Sequence, residues 1–298
     1  MIFPNEMDIK TVVFPVAGMG TRFLPATKSS PKEMLPVLNK PLIQYAVEEA
    51  ISSGIENFIF VVSEGKESIE KHFTNDKELL HHLVSKNKND SIISVLQSTL
   101  PMDKTTFVLQ KKPIGLGHAV SCAEPYLRNS NEPFAVILPD DLYVCETPCL
   151  LQMINSFKKN KLKGHMISIQ KVLKEDVSKY GIASIKDENT KNLFNISRII
   201  EKPESTNSKS NYGVVGRYIL QKSIFDEIKK TKAGSGGEIQ LTDAMMPMIK
   251  KNGVFGIVPS GHRYDCGSKI GWLQANIAMA SMDMEIKPHL SKMFKELM

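Results

Sequence analysis

The stretch "KTVVFPVAGMGTRFLPATKSSPKEMLPVLNKPLIQYAVEEAISSGIENFIFVVS", residues 10–63, decides the fold. It opens with a short apolar run, 10–16, that stops at a glycine turn, as a buried strand does. Residues 41–55 place apolar side chains at Leu42, Ile43, Ala46, Val47, Ala50 and Ile51. That spacing predicts a helix, with Gly54 as its stop. Residues 57–63 form a second apolar run. Strand, loop, helix and strand in this order predict a βαβ crossover with parallel pairing.

The loop between strand and helix is unusual. Gly18 and Gly20 resemble the start of a dinucleotide fingerprint, but the third glycine position holds Phe23, and Pro25 blocks the expected helix. A nicotinamide-dependent oxidoreductase is therefore a poor reading. The Walker phosphate-loop spacing is also absent. What remains is a glycine turn through which backbone amides approach a ligand. Arg22, Lys28 and Lys32 follow on backbone stiffened by Pro25, Pro31 and Pro36. Such a loop suits a triphosphate clamped without a helix dipole. An exposed basic loop is the plainer alternative.

Outward from this segment, apolar runs predict strands at 105–110 and 134–139 around a helix at 115–127. Residues 66–96 read as polar helix, with 85–90 as a solvated connection. A helix at 150–160 precedes strands at 164–171, 181–186 and 194–203. A polar loop at 204–211 leads to a strand at 211–220. A helix near 238–251, a strand at 254–258 and a terminal helix beyond 268 complete the chain. No internal repeat is visible. The alternation predicts an α/β fold, three-layer α/β/α, with one mixed, mostly parallel sheet. A single domain over 1–298 is expected. Residues of about 8–145 would serve one ligand and about 146–265 a second. About 266–298 would form a helical segment, which its methionine-rich apolar spacing marks for packing or subunit contact.

The 298 residues are 42% hydrophobic and 23% charged, an ordinary globular composition. A net charge of +6 suits anionic small molecules and is too weak and scattered for nucleic acid. No run approaches the ~18 apolar residues of a membrane span. The N-terminus lacks a basic segment followed by an apolar run, so a cytoplasmic location is expected. Cys145 and Cys149 have no second pair at zinc spacing. With Cys122 and Cys266 they read as reduced thiols.

Several motifs carry more. The loop "GMGTRFLPATKSSPKEMLP" (18–36), "GLGHAV" (115–120), "VILPDD" (136–141), "EKP" (201–203), "VGRYIL" (215–220), "GGEIQLTDAM" (236–245) and "DCGSKIG" (265–271) occur in that order. Together they resemble the sugar-1-phosphate nucleotidylyltransferases, within them the uridylyltransferase branch, over about residues 8–282. The resemblance implies transfer of a uridylyl group from UTP to glucose 1-phosphate with Mg2+, in a homo-oligomer. It implies that Arg22 and Lys32 are the catalytic phosphate-binding cations. Ala17, Gly18, Gly20 and Thr21 would surround the nucleotide, and Gln110 and Gly115 would meet the base. Asp140 and Asp265 would hold the metal, Asp140 also belonging to the nucleotide site. Gly181, Glu201 and Lys202 would bind the sugar phosphate. Asp141 either orients the site or caps the next segment. His118 has no nucleophile partner and reads as structural. A thymidylyltransferase or other sugar-1-phosphate nucleotidylyltransferase and a non-catalytic regulatory paralogue are the alternatives, and the presence of Thr21, Arg22 and Lys32 favours an active enzyme.

Overall fold

The computed structural model describes residues 8–128, 131–190, 192–204 and 210–297. The expected polar loop at 204–211 therefore lies mostly outside the described residues. The first crossover forms as expected. Strand β1 (Thr11–Pro15) is followed by a two-residue pair, β2 (Pro36–Val37) and β3 (Lys40–Pro41), then helix α1 (Leu42–Ser52) and strand β4 (Asn57–Val62). β1 and β4 are parallel, Val12 opposite Phe58 and Phe14 opposite Phe60. Pro41, with φ near −58°, delivers the chain into α1, and Gly54 at φ 83° lets it leave.

The chain continues through α2 (Glu67–Phe73), α3 (Lys77–Ser85), α4 (Asn89–Ser98), β5 (Thr105–Leu109), α5 (Leu116–Cys122), α6 (Glu124–Leu127) and β6 (Phe134–Ile137). Next come β7 (Asp141–Val144), α7 (Cys149–Lys159), β8 (His165–Lys171), β9 (Gly181–Thr190), β10 (Leu193–Glu201) and β11 (Tyr212–Leu220). The last elements are α8 (Ser223–Lys230), α9 (Leu241–Lys251), β12 (Val254–Ile257), β13 (His262–Asp265), α10 (Lys269–Met282) and α11 (Ile286–Leu297).

Nine strands make one mixed sheet in the order β5-β4-β1-β6-β11-β8-β12-β10-β9. The sheet is mixed, as expected; its first half is parallel throughout, and in its second half β8 and β12 are also parallel. β5, β4, β1 and β6 run parallel. β11 then enters antiparallel to both β6 and β8, and β10 is antiparallel to both β12 and β9. The reason lies in the connections. Each strand of the first half is followed by a helical crossover, whereas β9 turns directly into β10. Two further expectations are revised. The helix near 238 begins only at Leu241, because a glycine-rich segment occupies 234–237. The terminal helix is two helices, α10 and α11.

Alternation along β1 sends Val12 and Phe14 to one core and Val13 to another on the opposite face, all completely buried. Phe14, Phe60 and Phe107 stack across β1, β4 and β5 with centroids 4.9 and 5.0 Å apart. β7 and β13 form a separate antiparallel pair outside the sheet, and its register sets Asp265 opposite Asp141. All four cysteines are free thiols, as expected.

Candidate active site

Parallel strands leave their ligand-binding loops at one sheet edge. Here the ends of β1, β5 and β6 deliver the 16–36 loop, Gln110 and Asp140 to that edge. After Val16 no α-helix follows, as Pro25 requires. The loop instead winds through three short 3-10 turns, 21–23, 26–28 and 32–34. Gly20 takes φ 65°, and a Cβ there would lie 3.0 Å from Lys32 Cβ and 3.2 Å from Thr27 Cγ2. Thr27 Oγ1 donates to the Gly20 carbonyl at 2.8 Å. The loop thus folds back on itself and carries Lys32 inward.

Glu33, the single acid of the loop, is buried and accepts from Lys66 Nζ at 2.8 Å; the same ammonium donates to the Val16 carbonyl. Burial pushes the Glu33 carboxyl up and the Lys66 ammonium down, against their mutual attraction. Lys66 escaped sequence reasoning because a lysine in a polar helical stretch has the appearance of a solvated side chain. It ties the loop after β4 to both ends of the glycine turn.

Lys32 Nζ lies 2.5 Å from Asp140 Oδ2. Burial opposes the lysine's charge, but Asp140 and Glu33 outweigh it and hold the ammonium above its usual range. Burial likewise opposes the Asp140 carboxylate, and Lys32 keeps it below its usual range. Asp265 arrives from the end of β13. The backbone N–H of Cys266 donates to the Asp140 carbonyl at 2.7 Å, joining the two segments. Gly267 marks where their side chains converge. A Cβ built there would sit 3.0 Å from Asp265 Oδ1, 3.2 Å from Asp140 Oδ2 and 3.6 Å from Arg22 Nη1. Two carboxylates and a guanidinium therefore face one small space. Two Asp carboxylates with phosphate oxygens are a fitting donor set for Mg2+. Among the described residues no three His, Cys, Asp or Glu side chains gather as a metal cage.

Asp141 does not face this space as a free acid. Arg263 Nη1 donates to it, while Arg263 Nη2 donates to the Tyr180 hydroxyl at 3.0 Å. Tyr180 in turn donates to Asp265 Oδ2 at 3.4 Å. Burial raises the Asp141 carboxyl to about 6; Arg263 opposes, and Asp140 and Asp265 add to the rise. Of the two roles open from sequence, orientation fits better than capping.

The expected base residues lie together. Ala17, Gly18, Gln110, Gly115 and Leu116 line a cavity of about 200 Å³ with Glu238. Gly115 has φ 110°, and a Cβ would meet the Ile239 carbonyl at 2.6 Å, so only glycine fits. The expected sugar-phosphate residues Gly181, Glu201 and Lys202 line a second cavity, about 380 Å³, with Lys32 and Asp140. Leu116 and Glu238 border both, so the cavities are neighbours along one groove. Thr242 Oγ1 donates to Glu201 Oε2 at 2.8 Å, and a Cβ at Gly181 would come 2.9 Å from each of these two side chains. Lys202 takes φ 43°, and its N–H donates to the Tyr180 carbonyl at 3.0 Å. Arg22 and Asp265 border a third cavity, about 570 Å³. Thr21 is exposed at the start of its turn and borders none of these spaces. Arg263, Tyr180, Glu238 and Thr242 were missed from sequence. Arg263, Tyr180 and Thr242 meet partners from distant segments, and Glu238, which accepts from Gln240 Nε2, borders cavities that form only in the packed molecule.

A groove whose parts carry cations, two converging carboxylates and a polar pocket defines a phosphate-transfer class of site, and the sequence comparison agrees. The chain belongs to the nucleotidyl transferase family, whose pattern matches residues 12–281. It is 41% identical over 291 residues to UTP–glucose-1-phosphate uridylyltransferase 1 of Staphylococcus saprophyticus, covering 98% of this chain and 99% of that one. It is 41% identical over 282 residues to the uridylyltransferase YngB of Bacillus subtilis, covering 95% and 93%. Among solved structures it resembles a UTP-bound UGPase from Acinetobacter baumannii, with TM-score 0.87, 36% identity and coverage of 98% and 100%. It also resembles a UDP-glucose pyrophosphorylase complexed with UDP-glucose, with TM-score 0.81, 38% identity and coverage of 93% and 100%.

Proposed function

We propose that this chain is a uridylyltransferase that joins UTP and glucose 1-phosphate into UDP-glucose and pyrophosphate. One observation carries the reading. Lys32, Asp140, Asp265 and Arg22 gather beside two neighbouring pockets, one ending in a buried amide, the other in Glu201 and Lys202. A reaction between two polyanions needs charge neutralisation and alignment above all. In this reading Gln110 and the Gly115 backbone take uracil, and Ala17, Gly18, Gly20 and Thr21 wrap the nucleotide. Arg22 offers a planar fork to phosphate oxygens and Lys32 a point charge. Glu201 accepts sugar hydroxyls, Lys202 holds the sugar phosphate, and Gly181 leaves room beside the ring. The oxygen of glucose 1-phosphate is thereby aimed at the α-phosphorus. Asp140 and Asp265 would hold Mg2+, which when bound neutralises phosphate charge.

The same reading assigns one three-layer domain, with nucleotide binding in the first part and sugar binding in the second. Exposed Ile270, Leu273 and Phe294 on α10 and α11 support these helices as a subunit contact in a homo-oligomer. A cytoplasmic site of action is part of the proposal; among the described residues no helix is long and apolar enough to cross a membrane.

The test is pyrophosphate release from UTP, dTTP and CTP, each with glucose 1-phosphate and galactose 1-phosphate. UTP with glucose 1-phosphate is expected to be the best pair. Faster release from dTTP would make the protein a thymidylyltransferase. No release from any pair would leave the non-catalytic reading standing.

A further inference from the structure

Gln110 is 3% exposed at the end of β5, with its backbone N–H on the Val62 carbonyl at 2.7 Å. Its Nε2 lies 2.7 Å from His118 Nδ1 and 3.5 Å from the Gly115 carbonyl oxygen. A carbonyl oxygen only accepts, so the group turned toward Gly115 is the NH2. The same NH2 faces His118, whose Nδ1 must then accept, leaving the ring proton on Nε2. His118 is the third residue of α5, and a helical side chain leans toward the N-terminus, which brings the ring back over the strand end.

Both hydrogens of the Gln110 amide are thus directed inside the protein, one to His118 Nδ1 and the other to the Gly115 carbonyl. Among the described residues no donor reaches Oε1, and that oxygen is not enclosed. It opens toward the cavity bordered by Ala17, Gly18 and Gly115. The cavity therefore meets an acceptor. Uracil offers the complement, an N3–H donor. Cytosine offers the reverse, a bare N3 beside an amino group. An amide turned by 180° would suit cytosine equally well. The Gly115 carbonyl at 3.5 Å is a weak anchor against that turn. The bond to His118 is the strong one.

We infer that His118 is a positioning residue which, through Gln110, sets the choice of uracil over cytosine. This rests on the reading of Gln110 as the base contact. It also gives a role to a histidine whose sequence context offers no catalytic one.

The test compares kcat/KM for UTP and CTP, with glucose 1-phosphate saturating, in the unaltered protein and in His118→Leu, His118→Asn and Gln110→Ala. Leucine removes the acceptor, and asparagine returns an oxygen near the place of Nδ1. His118→Leu is expected to lower the UTP-to-CTP ratio by roughly tenfold, the value of one buried hydrogen bond in discrimination. The KM for glucose 1-phosphate should stay unchanged, and His118→Asn should recover most of the ratio. An unchanged ratio in His118→Leu, with Gln110→Ala lowering it, would overturn the role of His118 alone. Equal losses for both nucleotides, or an Asn variant as poor as Leu, would also overturn it by leaving only a structural effect. A Gln110→Ala variant that keeps its ratio would remove the base contact itself, and the His118 role with it.

Discussion

At the scale of single residues, Gly267 is the most exacting position of the site. Its missing side chain leaves the space into which Asp140, Asp265 and Arg22 point. Its backbone needs no left-handed conformation, so alanine is compatible with the fold. Gly267→Ala should therefore fold normally by thermal melting yet lose turnover on the order of 100-fold, because the methyl group stands among charges that must meet phosphate. Asp265→Asn should fail by a similar factor while preserving shape, with the loss deepest at limiting Mg2+. Near-normal turnover in either variant would remove the convergence at Gly267 from the mechanism. Lys202, with its φ of 43°, belongs to the other pocket. Lys202→Ala should raise the KM for glucose 1-phosphate by at least about tenfold, since a charge-assisted bond to phosphate is lost. UTP binding, followed by calorimetry, should persist.

At the scale of elements, a buried ion pair holds the turn that carries Asp140. Arg217 of β11 is 1% exposed and meets Glu49 of α1 through Nε at 3.1 Å and Nη2 at 2.6 Å. Its Nη1 donates to the carbonyls of Leu138 at 3.1 Å and Asp141 at 2.5 Å, which bracket Pro139 and Asp140. Glu49 Oε1 also accepts the N–H of Leu150 in the first turn of α7 at 2.9 Å. One arginine thus joins a central strand, two helices and the turn that carries Asp140. Arg217→Met should cost about 3–5 kcal/mol in urea unfolding, because Glu49 is left as an unpaired buried charge. Pairing it with Glu49→Leu should return much of that stability. Turnover should stay low in both variants, since the two carbonyls still lack their donor. If the double variant regains turnover along with stability, the pair serves the fold and not the turn.

At the scale of the whole molecule, acid sensitivity has an identifiable source in His165. It is fully buried in β8, accepts from the Gln221 N–H at 3.2 Å and leaves Nε2 without a partner. Burial depresses its pKa from 6.5 to about 4. The unfolded chain therefore binds a proton that the folded chain refuses, so stability falls as pH drops from 6.5 toward 4 and levels off below. Between pH 7 and 5 this amounts to about 2 kcal/mol. His165→Asn should shrink the fall in urea-unfolding stability over that interval by about this amount; an unchanged fall would clear His165. The origin of such features divides cleanly. The opening crossover was legible because a buried strand and an amphipathic helix are local patterns, imposed by burial on residues a few positions apart. Proline at 25 and phenylalanine at 23 likewise excluded a dinucleotide helix by local sterics. The proposed members of the site, and the pairing of Asp140 with Asp265, were implied by motif resemblance. The contacts that hold them in place were not. Asp140 and Asp265 come together through the β7 and β13 pair, and Asp141 is neutralised by Arg263. Lys66 locks the glycine loop, and Arg217 locks the carboxylate turn. Each of these contacts joins segments far apart in the chain. Burial and charge pairing select them only once the sheet has set its strand order, so their physical cause lies in the packed molecule and leaves no local pattern in the sequence.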